Sequence, residues 1–136
     1  MVDIDIEYLG DLRCAAKHRP SGTKMITDAP VDNHGKGESF SPTDLMATAL
    51  GTCILTTMGI VAQMMKIDLG GAKITVRKEM SASPPRRIAA LPVTIDVPAR
   101  LDEEQKQRLI RAAQACPVKQ SLHPDIQMPI DFIWGS

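Results

Sequence analysis

Two cysteines are the residues of this sequence that are best suited to carry out chemistry. Cys53 lies inside the apolar run from Leu45 to Met65, and Cys116 comes directly before Pro117. A cysteine thiolate is a nucleophile, and the sulfenic acid that it forms with an oxidant condenses with a second thiol to give a disulfide. The two cysteines therefore suggest redox chemistry if the fold brings their sulfurs together, which their spacing neither favours nor excludes.

Both cysteines also have a purely structural explanation. At 100° per residue, Cys53 shares one helix face with Met46, Ala49, Leu50, Thr56, Thr57 and Ile60, and free cysteine is among the most often buried residue types. Cys116 fits a half-buried residue in a connection. If Pro117 opens a helix, however, unpaired backbone amides lie near the Cys116 sulfur and are expected to lower the pKa of that thiol. Both explanations stay open at this point.

A metal or cofactor site receives little support. None of the candidate metal ligands has a spacing typical of a metal site, such as Cys-x-x-Cys. These candidates are Cys14, Cys53, Cys116, His18, His34 and His123. The stretch "GKGES", from Gly35 to Ser39, does not have the glycine and lysine spacing of a phosphate-binding loop. We therefore expect no cofactor.

Composition argues against nucleic acid and membrane partners. The 136 residues include 16 basic and 16 acidic side chains, and two Phe, one Tyr and one Trp are too few for a base-stacking platform. The apolar run around Cys53 is interrupted by threonines, a glutamine and glycines, which favours a core helix over a membrane span. An acidic, alternating N-terminus without signal-peptide features and an odd number of cysteines predict a cytoplasmic protein.

The first third of the chain predicts three antiparallel strands and a loop. From Val2 onwards apolar and acidic residues alternate as in a half-buried strand, and a second alternation covers Leu12 to Ala16. The stretch "RPSG" predicts a turn before a third strand, "TKMIT". Residues 28–40 lack periodicity and predict a long loop of the kind that often carries function.

A long helix should follow this loop. Ser41 suits an N-cap, Pro42 the first helical position and Asp44 a capping box, so the helix is predicted to begin here and to run to about Lys66. Because the run is apolar almost all round, the helix should be covered on more than one side. Its small residues would allow the close approach of a second subunit, and they are Ala47, Ala49, Gly51 and Gly59.

The remainder of the chain predicts a hairpin, two helices and a final strand. Residues 72–80 and 86–98 have strand character and are split by a proline-rich turn. Helices are predicted over Leu101 to Ala115 and from Cys116 to Leu122, and residues 125–134 close the chain as a strand. The order of strands, helix, strands, helices and strand indicates the α+β class, and the length fits a single domain over residues 1–136.

The motifs "SPTDLMATALGTC" and "CPVKQSL", in this order of elements, resemble those of the OsmC/Ohr family of thiol-dependent peroxide reductases, in its divergent OsmC-like branch. The resemblance covers most of the chain. It implies the OsmC-like fold and a cytoplasmic homodimer with intertwined subunits. It also implies that Cys53 attacks the peroxide and that Cys116 is the resolving cysteine.

The resemblance further implies a cation beside the attacking thiol. In the family an arginine from the early strand and turn region has this role, and a glutamate near the start of the central helix holds it. Arg19 is the closest positional match, with Arg13 as the nearby alternative. Thr43 occupies the glutamate position in this sequence, and Glu38 in the preceding loop is a candidate substitute anchor.

These features together predict a peroxidase that reduces organic hydroperoxides through Cys53 and Cys116. An external dithiol reductant would then reduce the resulting disulfide. The alternative is a non-catalytic OsmC-like protein that binds a small apolar ligand in a dimer-interface cavity lined by methionine and threonine. Retention of all three thiols in the presence of a hydroperoxide would favour this alternative.

Overall fold

The computed structural model describes residues 1–135 and has the predicted α+β class. The chain divides into two compact units, residues 1–46 and residues 47–136. The long helix α1, Pro42–Met64, begins in the first unit and continues in the second. The expectation of one domain over residues 1–136 stays a prediction.

The first unit is built on the predicted three-stranded antiparallel sheet. Its strands are β1 (Ile4–Gly10), β2 (Arg13–His18) and β3 (Lys24–Asp28), in the order β1-β2-β3. Asp11 and Leu12 make the tight turn between β1 and β2 with positive φ angles of 54° and 63°. The sequence-based prediction of three strands in this region is confirmed.

One face of this sheet carries exposed apolar side chains. The register places Ile6 opposite Ala16 and Ala16 opposite Met25, so that their side chains share one face. We call the residues Ile4, Ile6, Tyr8 and Met25 the open sheet face, and they are 58%, 68%, 63% and 37% exposed. Apolar side chains in this number on one face are typical of a surface that another molecule covers.

The loop after β3 leads directly into the cap of α1. The Asp28 amide donates to the Phe40 carbonyl at 3.1 Å, which closes the loop at its base. The Asp44 amide donates to the Ser41 hydroxyl, and the Ser41 amide donates to the Asp44 carboxylate at 2.9 Å. This reciprocal pair is the predicted capping box, and the predicted helix start at Pro42 is confirmed.

The second unit contains a sheet, a small strand pair and the helices. Strands β4 (Lys73–Val76), β7 (Val93–Val97) and β8 (Ile130–Trp134) form a sheet in the order β4-β7-β8, and β5 (Glu79–Met80) pairs with β6 (Ile88–Ala90). The predicted hairpin is thus present as two consecutive antiparallel pairs, β4 with β7 and β5 with β6. The final strand β8 runs parallel to β7, an orientation that the sequence pattern did not specify.

Two further helices complete this unit. Helix α2 covers Glu103–Gln114 and begins with a capping box between Asp102 and Gln105, and helix α3 covers Pro117–Ser121. Helix α1 ends at Met64, slightly before the predicted Lys66. The apolar core consists of side chains from α1, the strands and α2, among them Leu50, Ile54, Met58, Leu91, Val93, Ile95, Val97 and Leu109.

Gly51 on α1 is approached by the sheet of its own unit. A Cβ atom at this position would lie 3.0 Å from Cγ2 of Val76 and 3.5 Å from Cγ2 of Ile74. The expectation that Gly51 admits a second subunit is therefore wrong, because β4 already fills that space. At Gly59 a Cβ atom would meet nothing within 4 Å in the chain.

Helix α1 is also long and apolar enough to cross a membrane by length and composition alone, and 33% of its most apolar window is buried. Core helices pass the same test, and α1 contributes six buried residues, Ala47, Leu50, Gly51, Ile54, Met58 and Ala62. Packing within the second unit therefore explains why the face of α1 that carries these six residues is apolar.

Candidate active site

The structure brings Cys53 and Cys116 together. Cys53 lies in the middle of α1, and Cys116 is the N-cap residue of α3, directly after α2. Their thiols lie close enough for each to shift the pKa of the other. Cys116 is 0% exposed and belongs to the apolar core, whereas Cys53 is half-buried at the edge of that core. A small molecule can therefore reach only the Cys53 sulfur without a rearrangement of the chain.

Backbone amides of α3 surround the two sulfurs. Pro117 at the first helical position has no N–H, so the first available donors are the amides of Val118 and Lys119. The Val118 amide acts to lower the pKa of both thiols, and the Lys119 amide acts to lower that of Cys116. The sequence indicated such amides near Cys116, but it did not indicate that Cys53 shares them.

The pKa of the Cys53 thiol lies below its ordinary value. Partial burial acts to raise this pKa, but the interactions with the Cys116 thiol and the Val118 amide lower it and outweigh the effect of burial. Thr57 contributes least, because its one hydroxyl proton is donated to the Cys53 carbonyl at 2.8 Å and its oxygen lies 4.0 Å from the sulfur. Of the two thiols, Cys53 is therefore the one that ionises more readily.

The pKa of the Cys116 thiol is raised. Burial is the largest cause, and the hydrogen bond with Cys53 and the negative charge on that residue add to it. The amides of Lys119 and Val118 act in the opposite direction without compensating. The expectation that these amides would lower the pKa of Cys116 is therefore wrong, because the sulfur is fully buried and Cys53 ionises first.

Arg13 is held by two carboxylates within the first unit. Its Nη2 lies 3.2 Å from Oε1 of Glu38 and 3.5 Å from Oδ2 of Asp28. The Asp28 side chain is 2% exposed, and its Oδ2 also accepts the Glu38 amide at 3.0 Å. Glu38 thus contacts Arg13, as an arginine anchor would, while Asp28 fixes both the guanidinium and the backbone of Glu38.

Arg19 is engaged elsewhere on the same sheet. Its Nε and Nη2 donate to both carboxylate oxygens of Asp5 at 3.1 and 2.7 Å, and its Nη1 donates to Asp3 at 2.9 Å. The Arg19 guanidinium holds the pKa of the Asp5 carboxyl below its usual value. Arg19 is 58% exposed and is already paired with two acids. Of the two candidate arginines, the structure pairs Arg13 with Glu38.

Thr43 and Asp44 lie in the first turn of α1. The Thr43 hydroxyl is 3.3 Å from the Ser41 hydroxyl, and Asp44 forms the capping box. Neither side chain reproduces the glutamate that the family resemblance implies at position 43. The catalytic roles of Cys53, Cys116, Arg13, Arg19 and Glu38 stay predictions.

Within residues 1–135, no group of three or more His, Cys, Asp or Glu side chains is arranged to hold a metal ion. A cavity of about 440 Å³ lies beside the end of α3, where polar side chains such as Lys119, Gln120 and Gln127 line it with Leu122 and Met128. No threonine lines this cavity, so it does not match the apolar cavity of the ligand-binding alternative.

Comparison with known families decides the relationship. Residues 35–131 match the model of the OsmC-like protein family. The chain belongs to the OsmC family. The matched region contains both motifs around Cys53 and Cys116, which confirms the relationship that those motifs indicated. None of the curated proteins matches the chain.

Solved structures of the OsmC family share the fold. A Psychrobacter arcticus protein, named for osmotic stress induction and a detoxification response, is 44% identical with a TM-score of 0.92, over 98% of this chain and 96% of that chain. An organic hydroperoxide resistance protein from Legionella pneumophila is 16% identical with a TM-score of 0.78, over 97% and 96%. An OsmC-like protein from Mycoplasma pneumoniae is 15% identical with a TM-score of 0.84, over 100% and 98%.

Two residues that interact with the candidate side chains, one in each unit, were not candidates from the sequence. Val118 could have been found, because Pro117 at the first helical position makes the next amide the first free donor. Asp28 had no such signal, since an acidic residue at the end of a strand more often starts a loop. Its burial and its contact with Arg13 become visible only in the folded OsmC-like chain.

Proposed function

We propose that the protein is a thiol-dependent peroxidase that reduces organic hydroperoxides. The observation that carries this proposal is the asymmetry of the two neighbouring thiols. Cys53 is accessible and has a lowered pKa, whereas Cys116 is buried and has a raised pKa. An attacking cysteine needs access and thiolate character, and a resolving cysteine needs neither until the first sulfur is oxidised.

The reaction proceeds in two balanced steps. The Cys53 thiolate attacks the hydroxyl-bearing oxygen of the hydroperoxide, the O–O bond breaks, and Cys53 sulfenic acid forms while an alkoxide leaves and takes up a proton. The Cys116 sulfur then attacks the Cys53 sulfur, and water leaves as the disulfide forms. An external dithiol returns both thiols to the reduced state.

Family membership supports the same chemistry. The OsmC family includes organic hydroperoxide resistance proteins, such as the one from Legionella pneumophila. The Psychrobacter arcticus protein is named for detoxification and osmotic stress. We assign the present chain to the same kind of detoxification, acting in the cytoplasm, where a dithiol reductant is available.

In this proposal the activating cation is Arg13 and its anchor is Glu38. The 3.2 Å ion pair between them supplies the arrangement that the family resemblance assigns to an arginine and a glutamate. Asp28 strengthens the arrangement, since its buried carboxylate contacts the same guanidinium. Arg19 is less suitable, because its side chain is 58% exposed, against 33% for Arg13, and solvent screens an exposed charge.

The functional unit in this proposal is a homodimer. The open sheet face, together with exposed Ile60 and Met64 on α1, is more apolar surface than a stable monomer usually leaves uncovered. A second copy of the chain presents the same surfaces, so an intertwined, symmetric pair covers them.

The decisive measurement counts thiols before and after treatment with one equivalent of cumene hydroperoxide. We expect the denatured, treated protein to retain one free thiol of three, and peptide mapping should find the disulfide between Cys53 and Cys116. The Cys14→Ser variant is the matched control, and it should lose both of its thiols. Three free thiols in the treated wild-type protein would exclude this function.

A further inference from the structure

Thr57 lies one helical turn after Cys53 on the same face of α1. Side chains of a helix lean toward its N-terminus, so residue i+4 covers residue i. The Thr57 Oγ1 is accordingly 4.0 Å from the Cys53 sulfur. Both residues are half-buried, so neither is enclosed in the core of the chain.

The hydroxyl of Thr57 is oriented by a backbone bond. It donates its one proton to the Cys53 carbonyl at 2.8 Å, so the proton is not available to a ligand. A hydroxyl oxygen keeps two lone pairs, and it can therefore still accept a hydrogen bond. Thr57 thus presents a fixed acceptor beside the sulfur.

A hydroperoxide carries the matching donor. The oxygen that the Cys53 thiolate attacks is the one that bears hydrogen, since the departing group is then an alkoxide. When this peroxide oxygen contacts the Cys53 sulfur, it is within hydrogen-bond reach of the Thr57 Oγ1, which lies 4.0 Å from the same sulfur. The O–H proton stays on the attacked oxygen and becomes the hydroxyl proton of the sulfenic acid, so no additional co-reactant is needed.

We propose that Thr57 is a substrate-positioning residue that accepts a hydrogen bond from the hydroxyl group of the hydroperoxide and aligns the O–O bond with the Cys53 thiolate. This inference rests on the proposed peroxidase function and deepens it. It assigns the specificity of the site to peroxides of the form ROOH, which carry a hydroxyl group, over dialkyl peroxides, which have no donor for Thr57.

The test compares Thr57→Val with Thr57→Ser in the full-length protein. Valine has the shape of threonine without the oxygen, whereas serine keeps the acceptor. We expect the rate constant for oxidation of Cys53 by cumene hydroperoxide to fall about tenfold in Thr57→Val, the equivalent of one lost hydrogen bond, and to be largely retained in Thr57→Ser. Rates are compared on the plateau of the pH profile, where Cys53 is fully ionised in each variant.

Alkylation by iodoacetamide separates positioning from general thiolate reactivity. This reagent needs the thiolate and access to it, but it carries no peroxide hydroxyl, so its rate with Thr57→Val should equal that with the wild-type protein. Thr52→Val is the matched control, because Thr52 makes the same kind of bond to the Thr48 carbonyl at 2.8 Å on an exposed position. It should react with both reagents at wild-type rates.

The outcomes are distinguishable. Equal peroxide rates in wild type and Thr57→Val would overturn the role of Thr57 and leave the peroxidase function standing. Parallel losses in the peroxide and iodoacetamide rates would also overturn it, because the effect would then lie in the thiolate itself. Absence of any reaction between the wild-type protein and the hydroperoxide would overturn the proposed function, and this inference with it.

Discussion

The side chains buried in residues 1–46 differ in kind from those buried in the rest of the chain. In the first unit the buried side chains are polar, namely Thr27, Asp28 and Ser41. In the second unit, as far as residue 135, they are apolar and form one cluster from Ala47 to Ile126. The second unit therefore has a hydrophobic core of its own, while the first relies on hydrogen bonds, ion pairs and whatever covers its open sheet face.

This difference also separates two chemical tasks. The thiol pair lies in the apolar unit, where burial keeps Cys116 protonated, and the ion pairs of Arg13 lie in the polar unit, where carboxylates fix a guanidinium. Each environment suits its residues, because a buried thiol tolerates a low dielectric and an arginine requires partners. Four measurements would test this contrast, from the largest expected effect to the smallest.

The largest effect is expected from comparing a cysteine of each unit. Cys53→Ser removes the proposed nucleophile, so peroxidase turnover should fall by roughly a thousandfold or more. Cys14→Ser, on strand β2 of the first unit, should keep turnover within about twofold of the wild-type value. A conservative substitution of a half-buried residue usually has a small effect. Consumption of cumene hydroperoxide with dithiothreitol as reductant measures both. An equal loss of turnover in both variants would contradict the assignment of the thiol chemistry to the second unit.

The stability of the two units should respond differently to protein concentration. Ile54→Ala empties a fully buried position and should lower the free energy of unfolding by about 2–5 kcal/mol. Ile6→Asp places a charge on the open sheet face and should instead shift the protein from dimer to monomer. Urea unfolding at several concentrations and analytical ultracentrifugation measure these effects. A wild-type protein that sediments as a monomer at all concentrations would contradict the proposed dimer.

The two arginines of the first unit should not be equivalent. Arg13→Gln should slow the oxidation of Cys53 by about ten- to a hundredfold, because a positive charge that favours the developing negative charge is lost. Arg19→Gln should change that rate less than about twofold, since the Arg19 guanidinium is 58% exposed and its charge is screened by solvent. Single-turnover kinetics with the hydroperoxide distinguish them. The reverse order of effects would make Arg19 the activating residue.

The smallest effect concerns the thiol pair itself. Cys116→Ala removes a hydrogen-bond donor from Cys53, so the pKa of Cys53 should rise, and alkylation at neutral pH should be slower than in the wild type. Cys116→Ser keeps a donor and should have a lower Cys53 pKa than Cys116→Ala. The pH dependence of iodoacetamide labelling gives these values. Identical profiles in both variants would show that the Val118 amide alone stabilises the thiolate.

The secondary structure was largely predictable because the local signals agree with the tertiary packing. Ser41, Pro42 and Asp44 define the start of α1 through short-range bonds, and the alternation after Val2 defines β1. The parallel pairing of β8 with β7 was not predictable, because strand orientation depends on long-range connections rather than on a local pattern. The same holds for Gly51, whose neighbours Ile74 and Val76 are remote in sequence.

The site was predictable where chemistry is local and unpredictable where it depends on burial. The motifs identified Cys53 and Cys116, and Pro117 identified free amides beside them. The predicted direction of the Cys116 pKa shift was wrong. Complete burial raises this pKa by more than the amides lower it, and burial cannot be read from the sequence. Likewise, position along the chain favoured Arg19, but the fold pairs Glu38 with Arg13.

The burial of Cys116 has a consequence for larger thiols. In the oxidised protein only the Cys53 sulfur is open to an incoming thiolate, so the transient mixed disulfide should form on Cys53 while Cys116 departs. A monothiol such as glutathione that attaches there would be expelled again by Cys116. We therefore expect glutathione adducts to persist in Cys116→Ala and to clear in the wild type, which mass spectrometry of the intact protein can follow.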